Sequence, residues 1–114
     1  MKFLLLQYID YAAMMNLTKE EAGRMHGAYT AWTGAMRKEG VLLANHGLRP
    51  AAEAATVRAP GGKRSVIDGP YAETKEQIGG YFLIDVPDRA AALDWAARCP
   101  AAQHGAIEVR PVWE

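Results

Sequence analysis

Residues 68–80 read DGPYAETKEQIGG, from Asp68 to Gly80, and join two short apolar runs: Ser65-Val66-Ile67 before and Tyr81-Phe82-Leu83-Ile84-Asp85-Val86 after. Both runs are bounded and rich in β-formers, so both read as strands and the stretch between them is a long connection. Gly69 tolerates conformations closed to other residues, and Pro70 has a fixed φ and no N–H, so Asp-Gly-Pro turns the chain out of the first strand. Pro70 also suits the first position of a helix, with Asp68 or Gly69 near the cap; one or two helical turns are expected between Pro70 and Ile78. Gly79-Gly80 either re-enters the next strand through a bulge or lets another backbone, or a ligand, come close.

Outward from this stretch the chain alternates strands and helices. Phe3 to Ile9 is a strand, apolar on both faces until Gln7. Thr18 opens a helix with a capping box, because Glu21 stands three residues later and Leu17 precedes the cap. Ala22, Met25, Tyr29, Trp32 and Met36 then make one helical stripe, and Glu39-Gly40 stops it. Val41 to Leu48 reads as a second strand with Asn45-His46-Gly47 as a bulge or exit. Thr56 to Ile67, folded at Pro60-Gly61-Gly62, reads as a hairpin arm. Asp88 caps a second helix with Ala92, Leu93, Ala96 and Ala97 on its buried face, Cys99-Pro100 ends it, and Ala106 to Val112 closes the domain as a strand. With the arm set aside the order is β-α-β-β-α-β, the ferredoxin-like split βαβ, in one domain spanning 1–114.

Two helices cover one face of such a sheet. Phe82, Ile84, Val86, Ile107 and Val109 are expected to meet them. Phe3, Leu5 and Gln7, with Tyr81, Leu83, Asp85, Glu108 and Arg110, are assigned to the open face. An apolar patch with a few polar groups needs cover, and a second copy packing sheet to sheet predicts a symmetric homodimer. A cleft would then lie between that face and the Asp68–Gly80 connection.

The chain has 114 residues, half of them hydrophobic, and its thirteen basic and thirteen acidic residues cancel. No block of like charge appears, which argues against direct nucleic-acid binding. No apolar run is long enough to span a membrane, and the one cysteine, Cys99, excludes an internal disulfide; a cytoplasmic location is expected. Cys99 reads as a small buried hydrophobe. No histidine or cysteine pair has metal-ligand spacing, and neither a Walker loop nor a dinucleotide fingerprint is present, so no metal and no organic cofactor are expected. His46 and His104 read as exposed loop residues.

Asp68, Gly69, Pro70, Tyr71, Glu73, Lys75, Glu76, Gly79, Gly80 and Tyr81 together resemble the signature of the DGPF-type members of the YCII-related family. The likeness continues through Ile84-Asp85-Val86, Trp95-Ala96, Cys99-Pro100-Ala101 and Ile107 to Pro111; Tyr71 replaces the phenylalanine of the signature and keeps the ring. The resemblance implies a compact dimeric ferredoxin-like domain of the dimeric α/β-barrel type, often associated with sigma factors of the extracytoplasmic-function class, and implies no reaction.

The candidate catalytic residues are Asp68 and His26. A carboxylate at a strand end beside a Gly-Pro turn can face a cleft and exchange protons, although an aspartate there also commonly holds its own turn. His26 joins it through a looser likeness of Arg24, His26 and Tyr29 to a pattern of the wider family, in which a His–Asp pair is implied as catalytic. Tyr71, Glu73, Lys75, Glu76, Tyr81 and Arg110 are the candidate ligand contacts. The reading is a small-molecule-binding, dimeric, enzyme-like domain with acid–base chemistry beside residues 68–80. The alternative is a non-catalytic sensing or interaction module that docks on a sigma factor.

Overall fold

A computed structural model describes residues 1–114. Strand β1 (Lys2–Ile9) leads through a five-residue helix α1 (Tyr11–Met15) into the long helix α2 (Lys19–Lys38). Strand β2 (Leu42–Gly47) follows, then the arm strands β3 (Ala55–Arg58) and β4 (Ser65–Asp68). Strand β5 (Gln77–Asp85), helix α3 (Arg89–Ala97), a 3₁₀ turn at Pro100–Gln103 and strand β6 (Ala106–Pro111) complete the chain. The main sheet runs β2-β5-β1-β6, all antiparallel, and β3 and β4 pair as a separate ribbon. This mixed α+β arrangement is compatible with the expected ferredoxin-like fold.

The helix ends follow the local chemistry. The Thr18 hydroxyl accepts the Glu21 N–H at 3.1 Å while the Glu21 carboxylate accepts the Thr18 N–H at 2.9 Å, the reciprocal capping box. Gly40, at φ 71°, ends α2 by letting the Val41 N–H reach the Met36 carbonyl at 2.9 Å. The Asp88 side chain accepts the Ala91 N–H at 2.9 Å and starts α3. Along α2 the buried residues are Trp32, Thr33 and Met36, Met25 and Tyr29 are half-buried, and Ala22 is exposed, so the stripe meets the sheet only in its second half. Gly23 and Gly27 lie in the uncovered half, where a Cβ added at either would have nothing within 4 Å. Gly27→Ala should therefore stabilise the protein by about 0.5–1 kcal/mol, read as a higher Tm. A lowered Tm would show that something covers the helix there.

Several expectations are corrected by tertiary contacts. Phe3, Leu5 and Gln7 face the helices, not the open side, because Phe3 pairs with Ile84, Leu5 with Phe82 and Gln7 with Gly80. The one-residue alternation then puts Leu4, Leu6 and Tyr8 on the open face with Tyr81, Leu83, Glu108 and Arg110. Residues 70–76 form bends rather than helical turns, and β5 already begins at Gln77. The β2 irregularity falls between Leu42 and Ala44 instead of at Asn45-His46-Gly47. On α3 the buried positions are Ala92, Trp95 and Ala96, while Leu93 and Ala97 are exposed. The helix presents its 92–95–96 face to the core, which turns 93 and 97 outward.

The core is one cluster in which Leu5, Met36, Ile84, Ala92 and Ala101 are completely buried and Trp32 packs edge-on to Phe82, centroids 4.7 Å apart. Gln7 is buried among these side chains, and its amide is satisfied by donating to the Tyr29 hydroxyl. Burial raises the Tyr29 phenol far above its ordinary range and also raises the Cys99 thiol, so both stay neutral.

The molecule measures 46 × 41 × 17 Å with a radius of gyration of 16.0 Å. A compact chain of this length has a radius of ~13 Å. The thin dimension is that of a sheet with helices on one side only. The excess width includes the arm, where Val57 and Ile67 are each 61% exposed.

Candidate functional site

The 68–80 connection is shaped by backbone contacts. Gly69 takes φ 113°, its N–H donates to the Ala54 carbonyl at 2.7 Å, and its own carbonyl accepts the Thr56 hydroxyl at 3.0 Å. The Gln77 amide donates to the carbonyls of Ala72 and Thr74, at 2.8 and 2.9 Å, and gathers 72–76 into a tight loop. The Gly79-Gly80 pair is required by close approach. A Cβ at Gly79 would lie 2.3 Å from Ile9, and one at Gly80 would lie 3.0 Å from the Gln7 side chain and 3.1 Å from the His46 carbonyl. The β1–β5 register shifts at this place, between Gln7 and Tyr8.

Two hollows flank the connection. One, of about 460 Å³, lies between the arm base and the open face and is mainly apolar, lined by Leu48, Pro70, Tyr71 and Ile78 among others. The other, of about 570 Å³, has a mixed lining and carries the side chains of Asp10, Lys75, Glu76 and His104. Tyr8 and Thr74 line both. Hollows therefore lie beside residues 68–80 within a single chain, one mainly apolar and one with charged side chains, and they meet at Tyr8.

Each polar group has a traceable origin. Asp10 follows β1 and caps α1, its Oδ1 accepting the N–H groups of Ala12 and Ala13 at 3.0 and 3.3 Å. Its Oδ2 stands 3.8 Å from Lys75 Nζ, a contact that joins the end of β1 to the connection. Lys75 is exposed, so the pair adds little stability and leaves the ammonium available to a ligand. His104 closes the 3₁₀ turn before β6. The Tyr8 hydroxyl donates to Glu108 Oε1 at 3.0 Å, and Arg110 Nε holds Glu108 Oε2 at 3.3 Å. The Glu108 hydrogen bond and partial burial raise the Tyr8 phenol above its usual range, so Tyr8 presents a neutral hydroxyl. No group of three or more His, Cys, Asp or Glu side chains converges as a set of metal ligands.

The sequence candidates separate on this map. Tyr71, Lys75 and Glu76 line the hollows. Arg110 lines neither hollow and is linked to Tyr8 only through Glu108. Tyr81 lies on the open face and shares a 2.9 Å hydrogen bond with His46 Nδ1, so His46 is a strand residue rather than a loop one. Glu73 and Asp68 are exposed and line neither hollow; the turn after Asp68 is held by Gly69 and Thr56 rather than by the carboxylate. His26 is exposed on α2 and also lines neither. The groups overlooked in the sequence are Tyr8, Asp10 and His104. The strand order would have found them: β6 neighbours β1, so the turn entering β6 sits beside the exit from β1.

Fold and site together define a small α+β domain with an open sheet face and a two-part hollow. The chain belongs to the YCII-related domain family, whose model matches residues 1–114. It is similar to an uncharacterized protein of Rhizobium meliloti (strain 1021), at 37% identity over 98% of this chain and 92% of that one. No helix is long and apolar enough to cross a membrane.

Proposed function

We propose that the protein is a homodimeric small-molecule-binding domain whose ligand lies across Tyr8 and Thr74. The apolar body of the ligand occupies the hollow of Tyr71 and Ile78, and a polar group meets Asp10, Lys75, Glu76 and His104. The observation that carries this reading is the pair of adjoining hollows, one mainly apolar and one bearing charged side chains, that share those two side chains. His104 beside Asp10 supplies the residue types suited to proton exchange near neutral pH, and takes over the acid–base role assigned in the sequence to Asp68 and His26. The homodimer reading rests on the open face, where Leu4, Leu6, Tyr8, Tyr81 and Leu83 are only half-buried by their own chain.

Native mass spectrometry of freshly purified protein tests both parts, since it reports the dimer and any retained ligand together. Lys75→Ala and Tyr71→Ala alter exposed side chains and should leave Tm within about 1 °C of the wild type. Each should weaken ligand binding about tenfold, the loss expected for one ion pair to a ligand or one aromatic contact. Retention of full affinity in both variants would remove the site from these hollows. A second reading, the interaction module docking on a sigma factor, is favoured by the bare apolar side chains of the arm, Val57, Val66 and Ile67. On that reading Val57→Asp abolishes partner capture and leaves ligand binding intact.

A further inference from the structure

We infer that the helical layer carries a second binding site, for a small organic anion with a carboxylate on an apolar body. A trough of about 780 Å³ runs between α2 and the Pro100–Gln103 turn, within the ~300–1,000 Å³ range of small-molecule pockets. It shares only His104 with the charged hollow beside the connection and does not depend on the ligand proposed there.

The charges around this trough are unbalanced. Arg24 and Arg98 line it, and neither belongs to any ion pair of the chain. Glu21 is the one acid on its lining; it accepts the Thr18 N–H in the capping box and feels the Arg24 charge, so the lining carries two guanidinium groups against one carboxylate. Arg98 is held in place by stacking, its guanidinium 4.1 Å from the centre of the Trp95 ring. Trp95 is itself tied down, because its carbonyl accepts the Trp32 indole N–H at 3.1 Å. A planar guanidinium fixed in this way matches a carboxylate and loses little further entropy on binding it.

The apolar lining decides the rest of the ligand. Met25 and Pro100, half-buried, and the exposed Ala28 and Ala31 border the same space, so an inorganic anion would leave them wet while an apolar body would cover them. An organic cation would face a lining with an excess of positive charge. The complementary occupant is an amphipathic carboxylate.

Calorimetry on the full chain at low salt, comparing phenylbutanoate, phenylbutanol and phenylbutylammonium, separates charge from shape. Phenylbutanoate should bind about tenfold more tightly than the alcohol, and the ammonium should not bind. Arg24→Ala and Arg98→Ala should each weaken the acid about tenfold, with Arg98→Lys intermediate because it keeps the charge and loses the fork. Unchanged thermal unfolding of these variants shows that folding is intact. Lys75→Ala should leave phenylbutanoate affinity unchanged, which distinguishes this trough from the hollows at Tyr8. Equal affinity for acid and alcohol, full affinity in the double arginine variant, or no binding of the acid at millimolar concentration would overturn the inference.

Discussion

Gly105→Ala is expected to destabilise the protein by about 3 kcal/mol or more, at the upper end of what overpacking costs. A Cβ at Gly105 would lie 2.2 Å from the Tyr8 carbonyl oxygen and 3.2 Å from that of Ala101. Both are backbone atoms, so no side-chain rotation relieves the clash. The Gly105 N–H is also used, donating to the Ala101 carbonyl at 2.7 Å just before β6 pairs with β1. The substitution must push β6 away from Tyr8 or break the turn that presents His104. Gly79→Ala makes the informative comparison, because its closest contacts would all be with side chains, chiefly that of Ile9. Ile9→Ala in the same chain should recover part of that loss, at the cost of a cavity, whereas no side-chain truncation rescues Gly105→Ala. Urea unfolding of the three variants measures this. A Gly105→Ala protein within 1 kcal/mol of the wild type would refute the close packing of β6 on Tyr8.

The second large effect concerns the open face. Leu6 stands between Tyr81 of β5 and Glu108 of β6, in the centre of the sheet. Leu6→Glu would bury a second carboxylate beside Glu108 in a sheet-to-sheet interface and repeat it in the partner. The dimer dissociation constant should rise about 100-fold or more, since each unpaired buried charge costs several kcal/mol. Leu6 is only half-buried in a single chain, so the monomer should keep its circular dichroism spectrum. Sedimentation across a dilution series checks the shift. A monomeric wild type in dilute solution, or a Leu6→Glu protein that stays dimeric, would remove the proposed sheet-to-sheet assembly.

Features written in neighbouring residues were legible before any fold was known. The Thr18–Glu21 box, the Asp88 cap, the Gly40 stop and the Pro60-Gly61-Gly62 reversal each act within a few residues, so their residue types announce them. The Gly79-Gly80 pair was readable as a close approach, although not what approaches. Tyr71, Lys75 and Glu76 were readable as a cluster because the connection carries them together, and all three line the hollows beside it. Asp68 drew attention as the first residue of its motif, yet the arm carries it to an exposed strand end. His26 fits a pattern in sequence, but it stands on the uncovered half of α2.

What the chain determined by itself was the six strands, the capped starts of α2 and α3 and the β-α-β-β-α-β order, because caps, turns and periodicity are short-range; it did not announce α1 or the early start of β5 at Gln77. Only tertiary structure decided which side of β1 is inside. Phe3-Leu4-Leu5-Leu6 is apolar at every position, so its alternation is silent, and pairing with Phe82 and Ile84 settles the facing. The site followed the same rule. Tyr8, Asp10, Lys75 and His104 are scattered from one end of the chain to the other and share a hollow because β1 lies between β5 and β6. Backbone hydrogen bonding along those two strand pairs, rather than any local signal, brings the four side chains together.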